Sequence, residues 1–362
     1  MESMKEIRIG FLSVCFALGG CRTQAQVLDN TSSQVNSSTQ ASSQAQVQDK
    51  TDSANGAVLR MVQAISLPDV EGRFDHFAID LQRQHLFVAA LGNNTLEVLN
   101  LRDGKPLRSI KGLQKPTGTA FVPEFKRIFA ASGDGETCEV FNGDTLGLLQ
   151  SVKSLPDADN VRYDAAAKHV YIGYGDGGLS IVDAASGQRL GDIKLAGHPE
   201  SFQLEKPGTR IFVNVPTAGH IAVVDRTKRA VVATWPLAGA RSNFPMALDE
   251  THHRLFIGCR DPARVLVYDT TSGRVTATLK IDGDTDDLFY DAARQRLYVA
   301  CGAGFINVFQ QQDADRYRAI ANMATAVGAR TALFVPELKR LYLAVPHRGT
   351  QGAQIRAYAV QP

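Results

Sequence analysis

Residues 80–113 read DLQRQHLFVAALGNNTLEVLNLRDGKPLRSIKGL and contain three strand-length apolar segments joined by turn residues. A short apolar run (86–89) precedes a Gly-Asn-Asn turn, an alternating run (96–101) precedes an Arg-Asp-Gly turn, and a last apolar segment ends at Leu113. Segments of this length with turn signals about every 8 to 12 residues are typical of strands in an antiparallel meander. The stretch therefore predicts three consecutive strands of one sheet.

The same pattern returns six more times along the chain, each time preceded by a short inner strand such as HFAID (76–80). The apolar pairs that open the second strand are Leu86-Phe87, Ile128-Phe129, Val170-Tyr171, Ile211-Phe212, Leu255-Phe256, Leu297-Tyr298 and Leu341-Tyr342. Successive pairs are 42, 42, 41, 44, 42 and 44 residues apart. A period of about 40–45 residues with four strands per repeat predicts an all-β chain, a seven-bladed β-propeller of four-stranded antiparallel blades.

The two ends of the repeat region complement each other. The segment VLRMVQAISL (58–67) matches the outer strands PLRSIKGL (106–113) and LLQSVKSL (148–155), but it precedes the first repeat. The last repeat ends at Pro362 without an outer strand of its own. We therefore expect the N-terminal strand to close the last blade, because such closure leaves no exposed sheet edge.

The first 21 residues have the pattern of an export signal. Lys5 and Arg8 precede an apolar run (9–18) that is too short to span a bilayer as a helix. The run ends in Leu-Gly-Gly-Cys (18–21), which resembles the lipobox of bacterial lipoproteins and implies lipidation of Cys21. Ordinary signal cleavage near Ala25 is the alternative. A lipid on Cys21 would anchor an exported, periplasmic or cell-surface protein to the membrane without spanning it.

Residues 22–55 are dominated by Ser, Gln, Thr, Asn, Asp and Ala, which predicts a disordered linker before a propeller at 56–362. The net charge of +2 and the scattered aromatic residues argue against nucleic acid as a partner. We expect a monomer whose partner is an envelope protein or a small-molecule ligand. The propeller's Cys138, Cys259 and Cys301 are expected to be buried free thiols.

Four of the repeats carry a family resemblance. They read LFVAALGNNTLEVLNLRDG (86–104), VYIGYGDGGLSIVDAASG (170–187), IFVNVPTAGHIAVVDRTK (211–228) and LYVACGAGFINVFQ (297–310). These segments resemble the YVTN-type (YncE-like) seven-bladed β-propellers, and the resemblance covers residues 58–362. It implies an exported or surface-attached propeller that is used for binding.

Candidate site residues follow from the repeat. The positions eleven and ten residues before each apolar pair should lie at one mouth of the central channel: Asp75-His76, Thr117-Gly118, Asp159-Asn160, Glu200-Ser201, Phe244-Pro245, Asp286-Asp287 and Arg330-Thr331, with His198 and Asn243 beside them. The Asp residues that recur at turns are interpreted as structural, whereas these pairs differ between blades, as a structural repeat does not require. We expect ligand binding by Asp75, His76, Asp159, Asn160, Glu200, Asn243, Asp287 and Arg330.

Side chains alternate between faces along a strand, so at most one of Asp286 and Asp287 is expected to enter the channel. Mouth residues of this kind can also be solvated or paired with one another and have no function.

Two function classes remain open. The first is a binding or scaffold module of the bacterial cell envelope, with its ligand at the channel mouth. The second is a metal-dependent hydrolase or lyase that acts on lactones or similar esters. Its Ca²⁺ or Mg²⁺ would be held by Asp159, Asn160, Glu200 and Asp287, because these ions prefer oxygen ligands. His76 or His198 would then serve as the general base. A redox accessory propeller is a third reading, although no haem-attachment motif is present.

Overall fold

The computed structural model describes residues 57–362. The predicted signal peptide (1–21), the lipidation at Cys21 and the predicted linker (22–55) lie outside the described residues. Within residues 57–362, no helix is long and apolar enough to cross a membrane.

The described chain forms seven antiparallel sheets of four strands each, which confirms the predicted propeller. Three short 3₁₀ helices lie in connecting turns, at Leu91–Asn93, Pro216–Ala218 and Pro336–Leu338. The strands are β1 (Leu59–Ser66); β2 (Phe77–Asp80), β3 (His85–Ala90), β4 (Thr95–Asn100) and β5 (Lys105–Lys111) in blade 1; β6 (Pro116–Val122), β7 (Arg127–Ser132), β8 (Thr137–Asn142) and β9 (Leu148–Lys153) in blade 2; β10 (Val161–Asp164), β11 (His169–Tyr174), β12 (Gly178–Asp183) and β13 (Arg189–Lys194) in blade 3; β14 (Phe202–Leu204), β15 (Arg210–Val215), β16 (His220–Asp225) and β17 (Ala230–Pro236) in blade 4; β18 (Arg241–Asp249), β19 (Arg254–Asp261), β20 (Ala263–Asp269) and β21 (Val275–Lys280) in blade 5; β22 (Thr285–Asp291), β23 (Arg296–Cys301), β24 (Phe305–Gln311) and β25 (Tyr317–Ala324) in blade 6; and β26 (Ala332–Val335), β27 (Arg340–Val345) and β28 (Gln354–Val360) in blade 7.

The N-terminal strand closes the ring as predicted. β1 pairs with β28 from Leu59 opposite Val360 to Ser66 opposite Gln354. The last sheet therefore has the order β1-β28-β27-β26, with its outer strand supplied by the opposite end of the described chain. Because of this pairing, the last blade has four strands, as the other six blades do.

The cores lie between neighbouring blades. The second strand of each blade is buried along nearly its whole length because it is covered on both faces, which is why its sequence is continuously apolar rather than alternating. Phe87 of blade 1, for example, stacks on Phe121 of blade 2 with 5.7 Å between ring centroids. Cys138, Cys259 and Cys301 are buried free thiols within these cores, as the sequence predicted.

The recurrent turn Asp residues have the structural role that we expected. The Oδ1 atoms of Asp183 and Asp269 accept backbone N–H groups from the residues three positions later. Gly187 and Gly273 close these turns with φ angles of +71° and +68°, which glycine adopts without strain. One oxygen of each carboxylate therefore shapes the turn between the third and fourth strands.

Candidate functional site

Each inner strand opens with a β-bulge at the mouth of the channel. In blade 1 the N–H of Asp75 donates to the carbonyl of Ala89 (2.7 Å), and the N–H of Ala89 donates to the carbonyl of His76 (3.1 Å), so that two residues oppose one. In the other blades, too, one small or short residue of the second strand lies opposite two residues of the inner strand. These are Ala131 opposite 117–118, Gly173 opposite 159–160, Asn214 opposite 200–201, Gly258 opposite 244–245, Ala300 opposite 286–287 and Ala344 opposite 330–331. Bulges redirect side chains, and they recur next to functional sites.

The bulge changes the geometry on which one expectation from the sequence relied. We expected at most one of Asp286 and Asp287 to enter the channel, because side chains alternate along a regular strand. The register of β22 shifts between Thr285 and Asp287, and both carboxylates lie at the mouth. Asp287 accepts a hydrogen bond from the N–H of Ala332 (2.8 Å) and lines the channel, while Asp286 contacts two arginines at the rim.

Asp75, His76 and Asp287 form one half of the charged cluster at the mouth. His76 Nε2 lies 3.4 Å from Asp75 Oδ1, and His76 Nδ1 lies 3.5 Å from Asp287 Oδ1. Burial opposes the charged imidazole, but the carboxylates of Asp287 and Asp75 prevail and raise the pKa of His76 to about 10. Burial raises the pKa of Asp75 to about 7 in spite of the neighbouring His76. His76 is therefore an imidazolium at neutral pH, held between carboxylates of two blades.

Asp159, His198 and Glu200 form the other half. One ligand atom from each side chain lies within 4.8 Å of the corresponding atoms of the other two. Burial and the carboxylate of Asp159 raise the pKa of Glu200 to about 8. Burial alone would also raise the pKa of Asp159, but contacts with His198 and the charge of His76 hold that pKa below its usual value. The metal-free site therefore keeps one carboxyl protonated beside one carboxylate.

The orientation of His198 is fixed by the backbone of blade 3. His198 Nδ1 lies 2.8 Å from the carbonyl oxygen of Gly175, which can only accept, so Nδ1 carries the proton. His198 Nε2 then faces Asp159 Oδ2 at 3.8 Å. Burial opposes the charged ring, but the contacts with Asp159 and the Gly175 carbonyl raise the pKa of His198 to about 9. A histidine that donates one ring N–H to a carbonyl can present its other nitrogen to a metal ion, which displaces the proton from that nitrogen on binding.

Arginines close the rim on the side of blades 5 to 7. Arg330, which the sequence predicted as a ligand-binding residue, pairs with Asp284 (2.8 Å) and Asp286 (2.9 Å). Arg260 also pairs with Asp286 (2.6 Å), and its guanidinium carbon lies 3.8 Å from the ring centroid of Phe244. Both cations are therefore engaged within the protein, where they pair with the acidic side chains of the rim.

The two predicted asparagines do not join the carboxylates. Asn243 Nδ2 donates to Asn214 Oδ1 (2.8 Å) and to the carbonyl of His220 (3.2 Å), so it ties blade 4 to blade 5. Asn160 is 1% exposed, and its Oδ1 has no hydrogen-bond partner within residues 57–362. Of the four metal ligands proposed from the sequence, the structure brings Asp159 and Glu200 together and adds His198 to them.

A close approach between blades 2 and 3 sets the position of Asp159. A Cβ atom on Gly118 would lie 2.1 Å from the carbonyl oxygen of Asp159 and 2.8 Å from the amide nitrogen of Val161. Thr117 adds a hydrogen bond from its hydroxyl to the carbonyl of Ala158 (2.7 Å). The mouth position in blade 2 is therefore occupied by a residue without a side chain because the backbone of the neighbouring bulge takes up that space.

One functional candidate was missed by the sequence analysis. Arg162 lies on the inner strand of blade 3 and lines a cavity within the channel. The signal was present, because Arg162 is a charged residue in the middle of the short inner-strand segment VRYD (161–164). The surroundings of the Arg162 guanidinium could not be read from the sequence, since they depend on which side chains of other blades reach across the channel.

Comparisons with known proteins establish the fold and nothing finer. No family model matches the chain, and no curated protein matches it either. Among solved structures, a chain of Kuenenia stuttgartiensis hydrazine synthase is similar at 14% identity and a TM-score of 0.67, covering 76% of this chain and 93% of that chain. A chain from a crystal structure of the mitotic checkpoint complex is similar at 9% identity and a TM-score of 0.71, covering 94% of this chain and 99% of that one. Such distant likenesses show a shared propeller and carry no function across.

Proposed function

We propose that the protein is an exported, lipid-anchored binding module of the bacterial cell envelope that holds a divalent metal ion at the mouth of its channel. Asp159, His198 and Glu200 would be the protein ligands. The convergence of their three ligand atoms within 4.8 Å of one another is the observation that supports this function. Solvent at the mouth, or a bound molecule, would complete the coordination sphere.

The donor set favours a transition metal over the Ca²⁺ or Mg²⁺ suggested by the sequence. Two carboxylates and one imidazole suit Zn²⁺ or Mn²⁺, whereas Ca²⁺ and Mg²⁺ prefer oxygen donors alone. The hydrogen bond from His198 to Gly175 already orients Nε2 toward Asp159. A divalent ion would also offset the burial and the repulsion from Asp159 that together raise the pKa of Glu200.

Thermal unfolding of the full mature chain tests this proposal. After treatment with EDTA, addition of Zn²⁺ or Mn²⁺ is expected to raise the midpoint, because an ion bound only by the folded state stabilises it by about 2.7 kcal/mol at 100 times Kd. Glu200→Gln and His198→Gln should each abolish the rise, since each removes a ligand. Asp134→Asn, which changes an exposed carboxylate paired with Lys115, should retain it. A rise that survives in both site variants would place the ion elsewhere.

Export and lipid anchoring rest on the pattern of residues 5–21 alone. The expected result is that the full chain, expressed in a bacterium, sediments with the membranes. Cys21→Ser should be released from them, because it lacks the thiol that would carry the lipid. Equal membrane association of the two forms would contradict the proposal.

Metal-dependent hydrolysis is the second candidate function, and one observation favours it. Asp75, whose pKa burial raises to about 7, lies close enough to Asp159 for their charges to interact. A carboxyl group of that pKa suits a general base at neutral pH, whereas His76, with a pKa raised to about 10 by Asp287 and Asp75, is already protonated. A metal ion would polarise the substrate carbonyl. Turnover of a lactone that is lost in Asp75→Asn while the ion stays bound would establish this activity.

A further inference from the structure

A cavity of about 330 Å³ lies inside the central channel, below the mouth. Its walls are largely apolar and come from the inner strands of several blades, including Phe77, Phe121 and Leu333. A wider cavity of about 560 Å³ at the far end of the channel shares Gln203 and Phe289 with it. The two spaces therefore adjoin, and the inner cavity can be approached from the end opposite the metal-binding mouth.

Among the described residues, Arg162 is the one arginine or lysine that lines this inner cavity, and its charge has no direct partner. Its Nη1 donates to the carbonyl of Val161 at 2.9 Å, which uses one of five N–H donors. Within residues 57–362, no carboxylate oxygen lies within 4.0 Å of the guanidinium nitrogens of Arg162, which are absent from every ion pair of the structure. The guanidinium carbon lies 5.8 Å from the ring centroid of Phe202.

Two other arginines near the channel differ from Arg162 because their charges are paired with carboxylates. Arg260 and Arg330 each form ion pairs at 2.6 to 2.9 Å. Burial lowers the pKa of Arg162, and the carboxylates of Asp287 and Asp159 only partly offset that effect from beyond ion-pair distance. Arg162 is only partly buried and faces the cavity. An arginine that lines a cavity without an ion-pair partner fits recognition of an anion.

We propose that the inner cavity binds a small organic carboxylate, with its head group paired to Arg162 and its apolar body against the aromatic walls. The planar guanidinium fork matches a carboxylate in two parallel hydrogen bonds. Asp287 also lines the cavity, but the N–H of Ala332 (2.8 Å) and the imidazolium of His76 (3.5 Å) engage its charge. The apolar walls favour an alkyl or aryl carboxylate over inorganic phosphate. This site needs no metal ion and goes beyond the function proposed above.

Calorimetric titration of the metal-free full mature chain with butanoate, hexanoate and hexanamide tests the chemistry. Hexanoate is expected to bind roughly 15-fold more tightly than butanoate, since burial of each methylene group contributes about a factor of four. Hexanamide has the same body without the charge and should bind at least about 10-fold more weakly than hexanoate. Inorganic phosphate that binds as tightly as hexanoate would overturn the proposal.

Variants locate the site. Arg162→Met keeps most of the length of the side chain and should weaken hexanoate binding by about 10- to 100-fold. Arg162→Lys keeps the charge without the planar guanidinium, so its affinity for hexanoate should lie between those of Arg162→Met and the parent chain. Glu200→Gln should lose the metal ion and bind hexanoate as the parent chain does. Arg162→Met should keep the metal ion and lose hexanoate affinity. The exposed Arg318→Met serves as the control for loss of a positive charge. Hexanoate binding that is unchanged in Arg162→Met and in Arg162→Lys contradicts the proposal.

Discussion

Deletion of residues 57–67 is expected to prevent the entire propeller from folding, although the deleted segment lies outside all seven sequence repeats. The mature chain without this segment should show no cooperative unfolding transition in circular dichroism. It should also be cleaved rapidly by proteases that leave the intact chain alone. A cooperative transition with an unchanged midpoint would contradict this expectation.

The physical reason is that β1 contributes to two interblade cores at once. Leu59 is buried with residues of blades 6 and 7, whereas Ile65 and Leu67 are buried with residues of blades 7 and 1. Seven residue pairs join β1 to β28, and without them β28 becomes an exposed edge. Blade 7 would then lose its outer strand and part of its contact with both neighbours, so the ring could not close.

A permuted chain provides the matched rescue. β1 and β28 are antiparallel, with Leu59 opposite Val360, and the N–H of Gln361 donates to the carbonyl of Val58 (3.0 Å). A chain that begins at Pro68 and carries residues 57–67 after Pro362, through a short Gly-rich turn, should therefore form the same pairing as a hairpin and fold. Failure of this permutant would mean that the segment acts through more than its pairing and packing.

Single substitutions on β1 should lower the free energy of unfolding more at a buried side chain than at an exposed one. Ile65→Ala should lower the free energy of unfolding by about 2–5 kcal/mol, because the side chain is 1% exposed and leaves a cavity. Met61→Ala, at a side chain that is 53% exposed on that strand, should change it by about 0.5 kcal/mol or less.

The fold could be predicted because its determinants are local and repeated. The apolar pairs from Leu86-Phe87 to Leu341-Tyr342 mark second strands that are buried on both faces, and Gly and Asp mark the turns between strands. Closure by β1 was also predictable, since the orphan outer strand and the incomplete last blade are both visible in the sequence. Because the pattern recurs in seven repeats, the strand assignment does not depend on any single residue.

The site could be predicted only in outline, because its geometry depends on the bulges and on distances across the channel. Counting back from the apolar pairs selected Asp75, Asp159 and Glu200, which occupy equivalent bulge positions in their blades, since the count is the same in every blade. The bulge at Asp286-Asp287 broke the alternation on which the expectation for those two residues relied. The grouping of His198 with Asp159 and Glu200 requires contact between two blades, and nothing in the sequence encodes that distance.

Raising the pH from about 5 to about 8.5 is expected to lower the free energy of unfolding of the metal-free protein continuously. Burial raises the pKa of Asp75 to about 7 and that of Glu200 to about 8, whereas both carboxyls titrate near pH 4 in the unfolded chain. Against the effect of burial, neighbouring carboxylates raise the pKa of His198 to about 9 and that of His76 to about 10. All four shifts have the same sign.

The sign follows from proton counts. Between the unfolded and folded pKa values of these groups, the folded protein binds more protons than the unfolded chain, so stability falls as the pH rises. Each excess proton gives a slope of about 1.4 kcal/mol per pH unit. Asp159 has a lowered pKa and acts in the opposite direction in acid, as the pH falls through its folded value. Burial also lowers the pKa of His85, so this one side chain opposes the four others at pH values below its unfolded pKa of about 6.5. The buried thiols and tyrosines contribute only above about pH 8.5, because their unfolded pKa values lie there or higher.

Urea unfolding at a series of pH values measures the slope, and paired variants assign it. Asp75→Asn with Glu200→Gln removes two of the shifted carboxyls and also weakens the charge interactions that keep His76 and His198 protonated, so its slope should be much smaller. The double variant should consequently be more stable than the parent chain at about pH 8.5 and close to it at about pH 4. Asp134→Asn, at an exposed carboxylate, should leave the slope unchanged. Stability that stays level or rises across this window would show that the carboxyl and imidazole groups of the mouth cluster do not hold these protons in the folded protein.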